Sequence, residues 1–360
     1  MDLIKPEMTP KERAKAYAAG DRVDRIPVTF SIGETIPPMY GYDICDYYFS
    51  VDAMVDVETR VAEDFQADNM GIGLGLRTMV EAMGTKMAYP KKSVSYIDKP
   101  LIDSLDQVDG LDVVDPLKDG RIPLIIQAFD RLQDRFGDVR NLSSGLAGPF
   151  TAAAGLFGTE RLLRATRKDP EGVHKLMRFT TECVVTCAHD LRERLGIGFM
   201  LAEPMASRDV ISKRQFDEFF LPYLRECIER MNAFQGATSL HICGHTSDRW
   251  ADCVDAGICA FWMDNKESLA SFKRLHGDRV AISGNVPPVE VLANGTPHDI
   301  EQAIIACLRE GADNPRGYTL CPGCTVPTST PKENIIAFMN AAASFGAGAR
   351  KGALPEGLNR

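Results

Sequence analysis

Short apolar runs alternate with helical patterns along most of this chain, and that alternation restricts its fold more than any other feature. The runs at 26–30, 69–74, 140–145, 197–203, 238–243, 258–263, 279–284 and 317–321 read as strands. Helix signatures stand between them. Thr9-Pro10-Lys11-Glu12 has a capping threonine, a proline at the first helical position and a glutamate that reaches back. Val51–Phe65 repeats its apolar residues at helical spacing, Pro170–Leu195 is one long helix, and 212–231 opens on a Ser-x-x-Gln box. Further helices are expected from Ser247, over 266–276, after Thr296-Pro297 and from Thr330-Pro331-Lys332-Glu333. A hairpin and a surface connection are expected within 86–123. Eight strands, each separated from the next, predict an α/β fold: a (β/α)8 barrel in one domain over residues 1–345. Residues 346–360, rich in Gly and Ala, are expected to form a loose tail.

Composition narrows the class. A 44% hydrophobic and 25% charged chain of 360 residues has ample material for a core. A net charge of −9, with no Lys/Arg stripe, argues against a nucleic-acid partner. Residues 1–13 are polar, and no apolar run approaches the roughly eighteen residues of a membrane span. Ten cysteines without a secretory signal fit a reducing compartment, so the expected location is the cytoplasm.

Chemistry in such barrels sits at the carboxyl ends of the strands. Here those ends carry Glu203, His241, Cys243, Asp264, Asn285, Cys321 and Cys324. Imidazole and thiolate are ligands that Zn²⁺ prefers, and three protein ligands leave an open position for substrate. His241 and Cys243, two apart at a strand end, should meet one or both cysteines of Cys321-Pro322-Gly323-Cys324. Cys324 is the better placed, because the Pro322-Gly323 turn can swing it over the barrel mouth. The competing reading of Cys-x-x-Cys is a redox pair, but this one follows a strand and does not open a thioredoxin-like helix. Glu203 is the candidate catalytic group, filling a fourth position until substrate displaces it, against a bland reading as a rim residue facing solvent. Asp264 and Asn285 are candidates for substrate binding. Asn285 has the plainer alternative of bonding the turn after its strand. Cys183, Cys187, Cys227, Cys253 and Cys307 read as core residues. The run Gly71-Ile72-Gly73-Leu74-Gly75 lacks the spacing of a dinucleotide fingerprint.

The chain resembles the uroporphyrinogen decarboxylase superfamily from about Thr9 to Phe345, and within it the zinc-dependent corrinoid methyltransferases of the methylcobamide:coenzyme M type. The segments that carry the resemblance are Glu203-Pro204-Met205-Ala206-Ser207, His241-Ile242-Cys243-Gly244, Ile282-Ser283-Gly284-Asn285-Val286 and Pro322-Gly323-Cys324 through Asn334. It implies a (β/α)8 barrel, zinc held by His241, Cys243 and Cys324, and a methylcobamide supplied by a partner corrinoid protein. The implied reaction moves a methyl group between that cobalt and a small thiol such as coenzyme M. O-demethylation of a small methyl ether is the first alternative. Decarboxylation of uroporphyrinogen is the second, and it is disfavoured. Where the decarboxylase branch has arginines for a polyanion, residues 29–38 hold none and present Glu34 instead.

Overall fold

The structure, a computed structural model, describes residues 2–359. An antiparallel hairpin, β1 (Lys86–Ala88) and β2 (Tyr96–Lys99), stands apart from the main sheet, inside the region expected to hold one. Six apolar runs form the sheet: β3 (Ser143–Ala147), β4 (Gly198–Ala202), β5 (Ser239–His241), β6 (Ala260–Trp262), β7 (Ala281–Val286) and β8 (Tyr318–Pro322). They pair in chain order, every pair parallel, as crossovers through helices require. Leu146, Leu201, Leu240, Phe261 and Ile282 are fully buried. The strand register links each to the next.

The two N-terminal runs close the barrel without becoming regular strands. Val28 bridges Leu320 and Met70 bridges Leu142, both in parallel. Between the two runs, side chains replace the ladder. Asn69 donates to the Phe30 carbonyl at 2.7 Å and accepts from the Phe30 N–H at 3.0 Å. Asp68 accepts the Val28 N–H at 2.7 Å. The eight-part barrel is therefore present, with six strands in five parallel ladders and two segments stitched largely by side chains.

Capping accounts for several helix starts. Thr9 and Glu12 form a reciprocal box at Pro10–Ala19, as do Ser212 and Gln215 and also Thr296 and Asp299. Val51–Phe65 and Pro170–Leu195 appear as expected. The helix expected from Ser247 is only Trp250–Asp255, and the one over 266–276 begins at Leu269. Helices Gly75–Ala82, Ile122–Phe136, Pro149–Phe157 and Thr159–Lys168 were not anticipated. Pro149–Phe157 is buried all round, so no polar face marks its period. Among the described residues no helix is long and apolar enough to cross a membrane.

The expected loose tail is a correction. Val23 N–H donates to the Ala349 carbonyl at 3.0 Å and Ile26 N–H to Gly346 at 2.8 Å. Arg22 pairs with Glu356 at 3.0 Å. The segment leading into the first run needs backbone partners, and residues after Phe345 supply them.

A buried ion network knits the N-terminal segments together. Arg13, 1% exposed, grips Asp24 through two bonds of 2.6 and 2.7 Å and also reaches Asp68. Arg25 joins Asp68 at 2.7 Å. Asp68 therefore serves two guanidiniums and the Val28 amide. The substitution Asp68→Asn should leave buried cations uncompensated and cost about 3–5 kcal/mol, read as a lower urea midpoint.

Candidate metal centre

β5 ends at His241, whose register partner is Trp262 of β6. Neighbouring strands thus lay the two rings together, centroids 4.0 Å apart and planes 30° from parallel. The Trp262 carbonyl lies 3.0 Å from His241 Nδ1. A carbonyl can only accept, so this partner assigns the proton to Nδ1 and leaves the lone pair on Nε2. Nε2 faces Cys243 Sγ at 3.0 Å, and Cys243 Sγ lies 3.5 Å from Cys324 Sγ. The three donor atoms all lie within 4.8 Å of one another. His241 is buried, and both cysteines are half-buried.

The sequence expectation ran the strand through Cys243, but Cys243 lies in the turn beyond it. Carboxylates from two loops hold that turn. Gly244 N–H donates to Asp264 at 2.8 Å, His245 N–H to Asp209 at 3.2 Å, and Ser247 N–H to Glu267 at 3.0 Å. Thr246 N–H also donates to Glu267. Four consecutive amides thus point at acidic side chains instead of a strand partner. On the other side, Trp262 Nε1 donates to the Pro322 carbonyl at 2.8 Å, tying β6 to the turn that presents Cys324. A Cβ on Gly323 would stand 2.4 Å from the Asn265 amide, so only glycine lets this turn approach so closely.

The contact between the two sulfurs splits their acidities. The hydrogen bond from Cys243 pulls the Cys324 thiol down to about 4, against burial and with help from His241. The same contact, reinforced by burial, pushes Cys243 up. A tetrahedral zinc with bonds of about 2.3 Å to sulfur and about 2.0 Å to nitrogen sets sulfurs about 3.8 Å apart and nitrogen about 3.6 Å from sulfur. The His241–Cys243 and Cys243–Cys324 separations lie within about 0.6 Å of these, and the donor set is one that zinc prefers. The residues fit the ion.

The other expected site residues stand elsewhere. Glu203 is fully buried and outside the cluster. Its carboxylate accepts the N–H groups of Phe150 at 3.0 Å and Thr151 at 2.8 Å, and the Thr151 hydroxyl at 2.5 Å. Helix Pro149–Phe157 has no side-chain cap of its own, and Glu203 fills that vacancy. A Cβ on Gly148 would collide with it. Burial, opposed by these bonds, pushes its carboxyl up to about 7. Asp264 braces the Cys243 turn and also accepts the Lys266 N–H at 2.9 Å. Asn285 donates to the carbonyls of Asp264 at 3.0 Å and Glu267 at 2.8 Å, so it holds the loop after β6 instead of the turn after its own strand. Neither lines the cavity described next. Cys321 is buried and outside the cluster. Sequence reasoning missed Trp262, Asp209 and Glu267. A tryptophan at a strand end, level with the histidine of the next strand, was the available signal for the first.

The cluster opens on a cavity of about 860 Å³ that runs into the barrel interior. Ser143, Gly145, Gly198, Ser239, Ser283 and Thr319 line it from five strands. Barrels of this kind are ordinarily filled by layers of bulky branched side chains. Small inward residues leave this one hollow.

Known proteins resemble the chain along nearly all of its length. A "Methylated-thiol--coenzyme M methyltransferase" of Methanosarcina mazei is 27% identical over 341 residues, 93% of this chain and 89% of the relative. A "Methylcobamide:CoM methyltransferase MtbA" of Methanosarcina acetivorans is 25% identical over 346 residues, 94% of this chain and 99% of the relative. A solved structure titled "methyltransferase from Methanosarcina mazei" superposes with a TM-score of 0.84 at 25% identity, covering 95% of this chain and all of the other. Residues 9–345 match the family described as "Uroporphyrinogen decarboxylase (URO-D)", and the chain belongs to that family.

Proposed function

We propose that this methyltransferase moves a methyl group between the cobalt of a partner corrinoid protein and a small thiol at a zinc site made by His241, Cys243 and Cys324. The observation that carries the reading is the convergence of one imidazole nitrogen and two sulfurs within 4.8 Å on the wall of a large cavity. Relatives named for methyl transfer from methylcobamide to coenzyme M support the reaction class. O-demethylation would use the same cluster with a different cavity occupant. For a decarboxylase of porphyrinogens, the cavity offers few free cations. Arg77 is paired with Glu34 and Arg121 with Glu81.

Bound zinc would supply a positive centre that stabilises a substrate thiolate at neutral pH. The chain's own residues set the rest. Trp262 fixes the tautomer and tilt of His241 and anchors the Cys324 turn through its indole. Asp264 holds the Cys243 turn through Gly244, and Asn285 holds the Asp264 loop. The cavity gives the thiol room beside the cluster.

Purified protein should contain about one zinc per chain, measured by elemental analysis. The substitutions Cys243→Ala and Cys324→Ala should each abolish metal retention and demethylation of methylcobalamin by thiols. Full methyl transfer by Cys243→Ala would sink the mechanism. Asp264→Asn and Trp262→Phe should each weaken zinc affinity by about 10- to 100-fold, read by competition with a chromophoric chelator. Glu203→Gln should retain zinc and instead lower stability by about 1–3 kcal/mol, because an amide cannot accept all three of its bonds.

A further inference from the structure

The cavity holds two carboxylates away from the cluster, and they differ in one respect. Glu34 is satisfied: it accepts from the Tyr48 hydroxyl at 2.8 Å and from Arg77 at 3.2 Å. Glu58, on helix Val51–Phe65, is 5% exposed and accepts only the Tyr47 hydroxyl, on Oε1 at 2.6 Å. Its Oε2 takes no hydrogen bond, and Glu58 forms no ion pair among the described residues. Burial, opposed by the Tyr47 bond, pushes its carboxyl up to about 7. The basic residues on the same wall are committed elsewhere, Arg77 to Glu34 and Arg121 to Glu81 and Thr78. Lys92 is exposed.

Oε2 is an acceptor without a protein partner on a side chain that lines the cavity, placed to receive a donor from a bound molecule. The cavity that Glu58 lines is the one that opens on the metal cluster. A single loop connects the two ends. Ser31 accepts the Val326 N–H at 2.9 Å, and its hydroxyl lies 3.2 Å from that of Thr325, next to Cys324. Gly33, two residues later on that loop, faces Glu58: a Cβ there would stand 3.1 Å from its Oε1. A two-carbon thiol fills a small part of about 860 Å³, so the space admits a longer molecule reaching from the cluster to Glu58.

We propose that the thiol or methyl thioether taken by this cavity ends, away from its sulfur, in a hydrogen-bond donor (a protonated amine or a hydroxyl) received by Glu58 Oε2. An anionic tail such as the sulfonate of coenzyme M would meet an acceptor and is disfavoured at that end. The inference rests on the thiol reading of the metal site and specifies its substrate.

The test is calorimetric titration of the zinc-loaded protein with thiols HS–R–X. R is ethylene or para-xylylene, and X is ammonium, hydroxyl or sulfonate. With the longer spacer, the ammonium and hydroxyl thiols should bind about tenfold or more tightly than the sulfonate. In Glu58→Leu, with zinc content and melting temperature checked first, that ratio should fall to within about threefold. Should Glu58→Leu fail to fold, Glu58→Gln keeps an acceptor without the charge and should lose the preference for ammonium over hydroxyl. Sulfonate thiols binding as tightly as the donor-ended ones, or a ratio unmoved by these substitutions, would overturn the proposal while leaving the thiol reading intact. If no thiol of either length binds the zinc-loaded protein, the thiol reading has failed and this inference falls with it.

Discussion

One hydrogen bond settles the chemistry of the site: Nδ1–H of His241 is committed to the carbonyl of Trp262. Were that proton on Nε2, the ring would present an N–H to two sulfurs and could not bind a cation. The bond is available because strand register puts the two residues side by side. The stacked indole then blocks the ring from turning. The same indole reaches the Pro322 carbonyl, so one side chain restrains two of the three ligands. An outer partner that orients a histidine ligand is as much a part of a metal site as the ligand itself.

The hollow interior shifts the burden of stability. A barrel filled by branched side chains buries apolar area on both faces of its strands. Here serines, glycines and a threonine face inward, so hydrophobic stabilisation comes from the outer row of Leu146, Leu201, Leu240, Phe261 and Ile282 under the helices. The closing segments have no ladder of their own. Asp68 and Asn69 stitch them with side-chain bonds, and the arginines around Asp68 lock that stitch. A cavity able to admit substrate thus coexists with a closed barrel: Asn69 lines it, and the ion network around Asp68 lies outside it.

Much of this was legible in the sequence. The alternation of apolar runs with capped helices gave the barrel, because it reports burial period and chain reversal directly. His241, Cys243 and Cys324 could be picked out because strand ends in a barrel share one rim. Direction along the rim is what sequence does not encode. Glu203 has a rim position, yet it turns toward the uncapped amides behind Gly148, where the otherwise unmet N–H groups of Phe150 and Thr151 attract a carboxylate more strongly than the open mouth does. Asp264 and Asn285 likewise turn along the loops instead of inward. The runs at 26–30 and 69–74 look like strands in the sequence yet pair only through isolated bridges, and helix Pro149–Phe157 is too uniformly apolar to look amphipathic.

The acidic frame around the Cys243 turn bears on reactivity as well as geometry. Asp264, Asp209 and Glu267 bring negative charge to the amides just beyond Cys243. With both thiols ionised, the donor set already cancels a divalent charge, and the carboxylates behind it add more negative potential. A thiolate entering such a site gives up little of its own electron density, which is what attack on a methyl group demands. A neutral set, such as three imidazoles, would hold a thiolate more tightly and leave it less nucleophilic. The choice of two sulfurs, backed by carboxylates, therefore favours a site that prepares a soft nucleophile over one that polarises a carbonyl or activates water.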